Sequence, residues 1–329
     1  MIKPQKCFYS IEDILSSSLL SHTEIEVDLM EQFIGDEGVK QLSQILDKCI
    51  NLSTLILALR ENEISNEGIS SLCCALGNLT NILVLRIDLM NNQINCNGVS
   101  QLGLALQKCH QLQDLTLYFR WNHIGDLGAS NLVQSLAKCV NLQAFTLDLI
   151  ENQISGNCMS QIGSVIASFL NLKNLTFFFR YNTIAAQGAI NLGSALINCI
   201  NLKTLRLDFR QTEIGDSGAS GLFNALANCI NLRNLTLDLM ENSITCVGAQ
   251  AIGSHLKKFN NLENLDLWLN SNKIRSNGAL YLCSALQNCN NLKILQLFLS
   301  INQIELNSNN QLKSKLTKIK RLIIKSFIL

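Results

Sequence analysis

Proline is almost absent from this sequence, which has one proline, Pro4, among 329 residues. Because ordinary proteins contain about 5% proline, the shortage predicts loops that share one proline-free design. The chain also lacks the composition of a disordered protein, since 47% of its residues are hydrophobic and its formal net charge is +1.

Neither sign of charge is in excess, because 26 Lys and Arg residues balance 25 Asp and Glu residues. Without a basic footprint we expect no nucleic-acid partner.

The N-terminus lacks the apolar segment of a secretion signal. The longest uncharged run, residues 181–202, contains six Asn, Gln and Thr residues, which a lipid-facing helix would not tolerate, so we expect no membrane partner.

An internal repeat organises the chain. Rows of thirty residues from Ser21 align ten times without insertion, from 21–50 to 291–320, and approximate the pattern NLxxLxLxLxxNxIxxxGAxxLxxALxxCx. We number the positions of this repeat from 1 to 30. The predicted segments are an N-terminal cap (1–20), ten repeats (21–320) and a C-terminal partial strand or cap (321–329), with Ser10 capping a short amphipathic helix in the first segment.

Two hydrophobic periods alternate within each repeat. Positions 5, 7 and 9 are apolar, as in Leu55, Leu57 and Leu59, which predicts a half-buried strand. Positions 19, 22 and 26 then follow helical spacing, and residues such as Asp36 and Asp126 are predicted helix N-caps. Strands that return after a helix pair in parallel. The sequence therefore predicts an α/β solenoid, curved as a horseshoe, with a parallel sheet on the concave face and helices on the convex face.

The stretch Leu232-x-x-Leu235-x-Leu237, followed by Asn242-x-Ile244-x-x-x-Gly248, resembles the leucine-rich repeat, specifically its ribonuclease-inhibitor-like class. Four residues separate Leu237 from Asn242, whereas the family usually has two. The extra pair preserves the alternation of faces, so it should lengthen each strand. This lengthened repeat is similar to leucine-rich repeats of ciliated protists.

Three recurrent residue types have a structural explanation. The asparagines at position 12 are expected to bind backbone groups of successive turns as a ladder, and the glycines at position 18 to allow close approach of the helices. Position 29 holds cysteine in six repeats but Leu79, Phe169 and Phe259 in others. This exchange indicates a small buried hydrophobic residue, so we expect no metal site and no cofactor. Thirteen cysteines without a secretion signal predict reduced thiols in the cytoplasm, with a ciliary or cytoskeletal location as the alternative.

Candidate partner-binding residues vary at the strand positions that face away from the core. Aromatic residues and arginines are enriched at protein–protein hot spots, whereas strand formation does not demand them there. The alternative is that these side chains only contact one another across strands. The candidates on the predicted concave face are Tyr118, Arg120, Trp121, Asp148, Phe178, Arg180, Tyr181, Asp208, Arg210, Trp268 and Phe298.

The residues outside the repeats are too few for an attached catalytic domain, and no catalytic motif recurs. The sequence therefore predicts a non-catalytic scaffold that binds a protein through its concave face or its ends, without a small-molecule substrate. One alternative is a permanent structural subunit of a large assembly such as a ciliary axoneme. Another is a GTPase-activating regulator that acts through a concave-face arginine. Replacing Tyr118, Arg120 and Arg180 by alanine is expected to weaken partner capture without affecting folding.

Overall fold

A computed structural model describes residues 6–16, 22–319 and 322–328. Parts of the predicted terminal segments, residues 1–5, 17–21, 320–321 and 329, lie outside the described residues. The chain forms two compact units, Met1–Ile154 and Ser155–Leu329, which we call unit 1 and unit 2.

Within the described residues, unit 1 alternates six strands with five helices. The strands are β1 (Lys6–Phe8), β2 (Glu24–Asp28), β3 (Thr54–Ala58), β4 (Val84–Asp88), β5 (Asp114–Tyr118) and β6 (Ala144–Asp148). The helices are α1 (Ile11–Leu15), α2 (Gly35–Leu46), α3 (Asn66–Leu76), α4 (Cys96–Leu106) and α5 (Gly125–Leu136). The hydroxyl of Ser10 caps α1 by accepting the N–H of Asp13 (3.1 Å).

Unit 2 continues the same alternation through six strands and six helices of the described chain. The strands are β7 (Asn174–Phe178), β8 (Thr204–Asp208), β9 (Asn234–Asp238), β10 (Asn264–Trp268), β11 (Ile294–Phe298) and β12 (Ile324–Ile328). The helices are α6 (Met159–Ile166), α7 (Ala185–Leu196), α8 (Gly215–Leu226), α9 (Cys246–Leu256), α10 (Arg275–Leu286) and α11 (Leu306–Thr317). No helix in the described part of the chain combines the length and the apolarity needed to cross a bilayer.

Strands pair in parallel with their neighbours in chain order within each unit, and equivalent repeat positions face each other. In unit 1, for example, Leu55 pairs with Leu85, and in unit 2 Leu205 pairs with Leu235. Positions 5, 7 and 9 are buried, as are the apolar helix faces, so the core lies between the sheet and the helices. The predicted fold class, a parallel α/β repeat solenoid, is confirmed.

The lengthened strand keeps its predicted face alternation but not a regular strand conformation. Regular strand ends at position 8, while position 9, such as Leu59, is fully buried. All ten residues at position 11 of the described repeats have φ between 50° and 59°, a left-handed conformation that costs non-glycine residues roughly 1–2 kcal/mol. A backbone bond to the next repeat supports it, as in Tyr181 N–H to Arg210 C=O (3.2 Å). The chain therefore turns away from the sheet at the residue immediately before the asparagine.

The predicted helix N-caps are wrong, because Asp36, Asp126 and Asp216 each lie inside the first turn of their own helix. Asp36 instead acts on the following repeat, where its Oδ1 accepts the N–H groups of Ser65 (2.8 Å) and Gly68 (2.9 Å) at the start of α3. Stacking places the first turn of one helix beside the start of the next. One carboxylate therefore binds unsatisfied donors in a neighbouring helix.

Glycine at position 18 permits this close stacking, as predicted. A Cβ atom on Gly128 would lie 2.8 Å from the Cα atom of Cys96 in the preceding helix, a distance that non-bonded carbon atoms do not adopt. One repeat has Cys158 at this position, and there a 3₁₀ turn (Gly156–Cys158) precedes a shortened α6.

The asparagine ladder is confirmed, although it runs to the preceding repeat rather than to the next. Asn62 Oδ1 accepts the N–H groups of Gln32 and Ile34 (both 3.2 Å), while its Nδ2 donates to the carbonyls of Leu29 (2.8 Å) and Arg60 (3.0 Å). The side chain is fully buried. Each asparagine therefore satisfies backbone groups that leave the strand ladder without partners.

The repeated cysteines are buried, as predicted, and each S–H donates to a backbone carbonyl. In unit 1, Cys139 Sγ lies 3.3 Å from the carbonyl oxygen of Leu106 in the preceding repeat. The equivalent distance in unit 2, from Cys229 to Leu196, is 3.5 Å. Burial raises the pKa of the Cys139 and Cys229 thiols to about 12, so both are protonated and unreactive at neutral pH.

Candidate functional site

The candidate residues lie at the carboxyl ends of the strands, on the sheet face that points away from the helices. We call this the exposed sheet face. Strand pairing places Tyr118 beside Asp148 in unit 1, and Phe178 beside Asp208 in unit 2.

The aspartates at position 8 have a structural role that the sequence analysis missed. In the described residues their Oδ1 atoms accept the backbone N–H two residues later, at distances of 2.9–3.3 Å, in Asp28, Asp88, Asp148, Asp208 and Asp238. An aspartate that binds its own backbone in this way ends a strand. In Asp148 and Asp208, one carboxylate oxygen therefore stabilises the fold by binding the backbone. The signal was present in the sequence, because Asp-Leu-Met or Asp-Leu-Ile recurs at four of these five strand ends, Asp208 being the exception.

In unit 1, a buried ion pair holds the candidate arginine. Arg120 Nη2 lies 3.0 Å from Asp148 Oδ2, and the Asp148 side chain is only 1% exposed. The guanidinium also lies over the ring of Trp121, 5.7 Å from its centroid. Trp121 Nε1 in turn donates to Glu151 Oε2 (2.8 Å). The result is one connected cluster of two acids, an arginine and an indole.

Removal of Arg120 would take away the cation that lies 3.0 Å from the buried Asp148 carboxylate, which is unfavourable. The expectation that the Arg120→Ala variant folds normally therefore needs correction. Sequence reasoning treated both residues as surface groups, because the burial of Asp148 depends on the stacking of repeats.

In unit 2, the equivalent arginine binds an aromatic residue instead of an acid. Arg180 lies over the ring of Tyr181, 4.6 Å from its centroid, and donates to the tyrosine hydroxyl (2.8 Å). Cation–π contacts of this kind are worth about 0.5–2 kcal/mol. Arg206, which the sequence analysis did not select, lies 5.2 Å from the centroid of Phe178.

Arg210, also in unit 2, donates two hydrogen bonds to Glu241 Oε1, from Nε at 2.9 Å and from Nη2 at 2.5 Å. Glu241 was also missed, because only aromatic residues were selected as candidates at its repeat position, position 11. Two carboxylates lie side by side here, since Asp208 pairs with Asp238 across β8 and β9. Burial and the repulsion from Asp208 raise the pKa of Asp238 to about 6, and the hydrogen bond from the backbone N–H of Met240 opposes this shift.

The second aromatic pair is in contact. The ring centroids of Trp268 and Phe298 are 4.3 Å apart with an interplanar angle of 33°, so the two rings are in close contact. Trp268 Nε1 donates to Asp266 Oδ1 (2.7 Å), which fixes the indole. This pair is a tilted, half-buried aromatic surface.

Trp121 and Tyr181 are the most exposed aromatic residues among the candidates, at 46% and 39%. Both occupy position 11, and their left-handed backbone (φ 57° and 59°) directs them out of the sheet. Each carries an arginine against its ring. The arrangement offers a rigid aromatic surface in which Arg120 is paired with an acid and Arg180 is held by its tyrosine. The described residues contain no group of three metal-ligating side chains.

Comparisons with known proteins agree with this architecture. A family model described as Leucine Rich repeat matches residues 51–73, 111–133, 199–223 and 231–253. No curated protein matches the chain. The chain is similar to an internalin (inlF) from Listeria monocytogenes, with 19% identity and a TM-score of 0.49, over 93% of this chain and 78% of that one.

The chain is also similar to TLR13, solved as a TLR13–ssRNA13 complex, with 19% identity and a TM-score of 0.53. This match covers 95% of the present chain and 37% of the TLR13 chain. The chain thus spans little more than a third of that relative, and the likeness concerns the fold alone.

Proposed function

Because the chain is a leucine-rich-repeat protein, we propose that it is a non-catalytic scaffold that binds a protein partner through its exposed sheet face. One observation carries this proposal: both units present an exposed aromatic side chain with an arginine against its ring, Arg120 with Trp121 and Arg180 with Tyr181. Such residues dominate protein-binding hot spots, since they bury a large area at little cost in conformational entropy.

The contacts among these side chains favour a role in partner binding over a role limited to contacts within the sheet. Arg120 and Arg180 are held in place by Asp148 and Tyr181 before any partner arrives. A preorganised surface loses less entropy on association. We also propose that the repeats belong to the ribonuclease-inhibitor-like class, which the helices of about three turns after most strands support. A cytoplasmic location is part of the same proposal, and the thirteen free cysteine thiols agree with it.

The test uses the double variant Trp121→Ala/Tyr181→Ala, which leaves the Arg120–Asp148 ion pair intact. Affinity purification with quantitative mass spectrometry should recover the specific partner of the wild-type chain at least tenfold less with this variant, which corresponds to about 1.4 kcal/mol. Tyr281→Ala is the matched control, since Tyr281 is also 39% exposed but lies on helix α10. The control should capture the partner normally.

Other outcomes would contradict this function or support a different one. Equal recovery by the double variant and wild type would refute binding through the exposed sheet face. If single-stranded RNA bound tightly to the wild type but not to the double variant, the partner would be a nucleic acid, as in the solved TLR13 complex. Co-sedimentation with a salt-resistant assembly would indicate a permanent structural subunit. Stimulated GTP hydrolysis would indicate the regulator.

A further inference from the structure

A second surface lies at the turns that join each helix of unit 2 to the next strand. Position 30 of three consecutive repeats holds an exposed apolar residue: Leu170 (65% exposed), Ile200 (59%) and Ile230 (70%). Side-chain amides link these turns, since Asn201 Nδ2 donates to the carbonyl of Leu170 (2.7 Å) and Asn231 Nδ2 to that of Ile200 (2.6 Å). The three apolar side chains therefore form a fixed row. Contiguous exposed apolar rows commonly mark interaction sites.

A row of cations runs beside this apolar row. Lys173, Lys203 and Arg233 occupy position 3 of the same turns and are all exposed. Backbone bonds place them next to one another, from Lys203 N–H to Lys173 C=O (2.8 Å) and from Arg233 N–H to Lys203 C=O (2.9 Å). Like charges on neighbouring strands destabilise a sheet. Arg233 is paired with Glu263 (2.7 Å), whereas Lys203 takes part in no ion pair of the described residues.

The fold itself does not require this cationic row. Unit 1 has the same backbone ladder at position 3, for example Gln143 N–H to Gln113 C=O (2.8 Å). Its residues there are uncharged: Ser53, Leu83, Gln113 and Gln143. Position 30, which holds the apolar row in unit 2, is not uniformly apolar in unit 1, where two repeats have Thr80 and His110. Identical backbone with different side chains indicates that the cations of unit 2 serve another purpose.

We propose that this surface, the basic–apolar edge, binds an acidic amphipathic helix of a partner protein. The edge consists of Leu170, Lys173, Ile200, Lys203, Ile230 and Arg233. Neighbouring strands lie about 4.8 Å apart, close to the 5.4 Å pitch of an α-helix. A helix that crosses the repeats therefore presents one apolar and one acidic residue to each turn of the edge.

Charge complementarity selects this occupant over the others. A second copy docked edge to edge would bring like charges together, which costs affinity. Recognition of anionic membranes generally needs clusters of four to eight basic residues. The edge has three, and one of them is already paired with Glu263.

The experiment selects binders from a displayed library of 18-residue peptides with helical patterning, using the purified full chain as the target. Selected peptides should carry acidic and apolar residues at helical spacing. Fluorescence anisotropy then compares the wild type with Lys173→Gln/Lys203→Gln/Arg233→Gln, which gives the edge the uncharged character of unit 1. We expect affinity to fall at least tenfold. A second variant, Ile200→Thr/Ile230→Thr, introduces the threonine of unit 1 and should also weaken binding at least fivefold.

A control variant removes the same charge elsewhere, through Lys40→Gln/Lys48→Gln/Lys108→Gln in unit 1, and should bind the peptides like wild type. The proposal fails if selected peptides lack the acidic and apolar pattern, or if either edge variant binds them normally. It also fails if vesicles of phosphatidylcholine and phosphatidylserine bind the edge in place of the peptides. Edge-dependent self-association in analytical ultracentrifugation would equally overturn it in favour of a second copy.

Discussion

The two units share one backbone but arrange their arginines and acids differently. In unit 1, arginines bind acids of the neighbouring repeat, as Arg60 binds Glu31 (2.8 Å) and Arg120 binds Asp148 (3.0 Å). In unit 2, Arg210 likewise binds Glu241 of the next repeat (2.9 Å), but Arg180, the equivalent of Arg120, binds Tyr181 of its own repeat, and Asp208 lies beside Asp238. The comparison teaches that the repeat specifies the backbone and the core, while the positions that face outward are free to differ.

The largest expected effect tests what the units have in common. Ile94 in unit 1 and Ile184 in unit 2 occupy position 14 and are both fully buried. Aspartate at either position buries an unpaired charge, which should lower the free energy of unfolding by about 4 kcal/mol or more. Urea denaturation measures this loss, and a valine at the same position is the control, with an expected cost of about 1 kcal/mol. An aspartate variant as stable as wild type in either unit would contradict the shared core.

A smaller effect, of opposite sign in the two units, tests how their aspartates differ. Asp148→Asn removes the charge that binds Arg120, and we expect it to destabilise unit 1 by about 2 kcal/mol. Asp238→Asn removes a half-buried carboxylate beside Asp208, while its amide oxygen still accepts the N–H of Met240. We therefore expect it to stabilise the protein at pH 7 by about 1 kcal/mol. Equal destabilisation by both variants in urea would show that the acids are equivalent.

The same pair gives a pH dependence with a definite sign. The pKa of Asp238 is raised to about 6 in the fold, against about 3.9 in an unfolded chain. Its contribution to stability is therefore fully present below pH 4 and is lost as the pH rises through 6. Urea melts between pH 4 and 7 should show a flatter pH dependence for Asp238→Asn than for wild type.

The smallest effect concerns the one interruption of the asparagine ladder within the repeats of unit 2. Thr212 replaces asparagine there, and its hydroxyl donates to the carbonyl of Phe209 (2.6 Å). Asn242, in the next repeat, accepts two N–H groups and donates to two carbonyls. Thr212→Asn should raise the free energy of unfolding by about 1 kcal/mol, and Asn242→Thr should lower it by a similar amount. Thermal melts in which neither variant shifts the midpoint would contradict the ladder as a source of stability.

Much of the fold was predictable because its causes are local and repeated. Alternation at Leu55, Leu57 and Leu59 indicated which strand face is buried, and the interchange of Cys49 with Leu79 and Phe169 at one repeat position indicated core packing rather than metal binding. The helix caps were not predictable in the same way. Asp36 caps the helix of the following repeat, a relation between residues that meet only after the repeats stack.

The candidate site was predictable in its residue types and less so in its contacts. Tyr118, Arg120 and Trp121 were identified because aromatic residues and arginines have no local reason to occupy strand ends. Glu151 and Glu241, which bind Trp121 and Arg210, share position 11 with Trp121 but are not aromatic, and their contacts depend on the left-handed turn at that position. No pattern in a single repeat reveals that turn, since it depends on a backbone bond to the next one.

The sequence by itself determined the repeat, the parallel strand–helix order and the composition of the core, because hydrophobic periodicity acts on each repeat separately. Only the tertiary structure decided which carboxylates are buried and which arginines they bind. It also decided that the cations of Lys173, Lys203 and Arg233 lie in one row. The physical reason is that these properties arise between residues thirty positions apart, which share an environment only when the repeats stack.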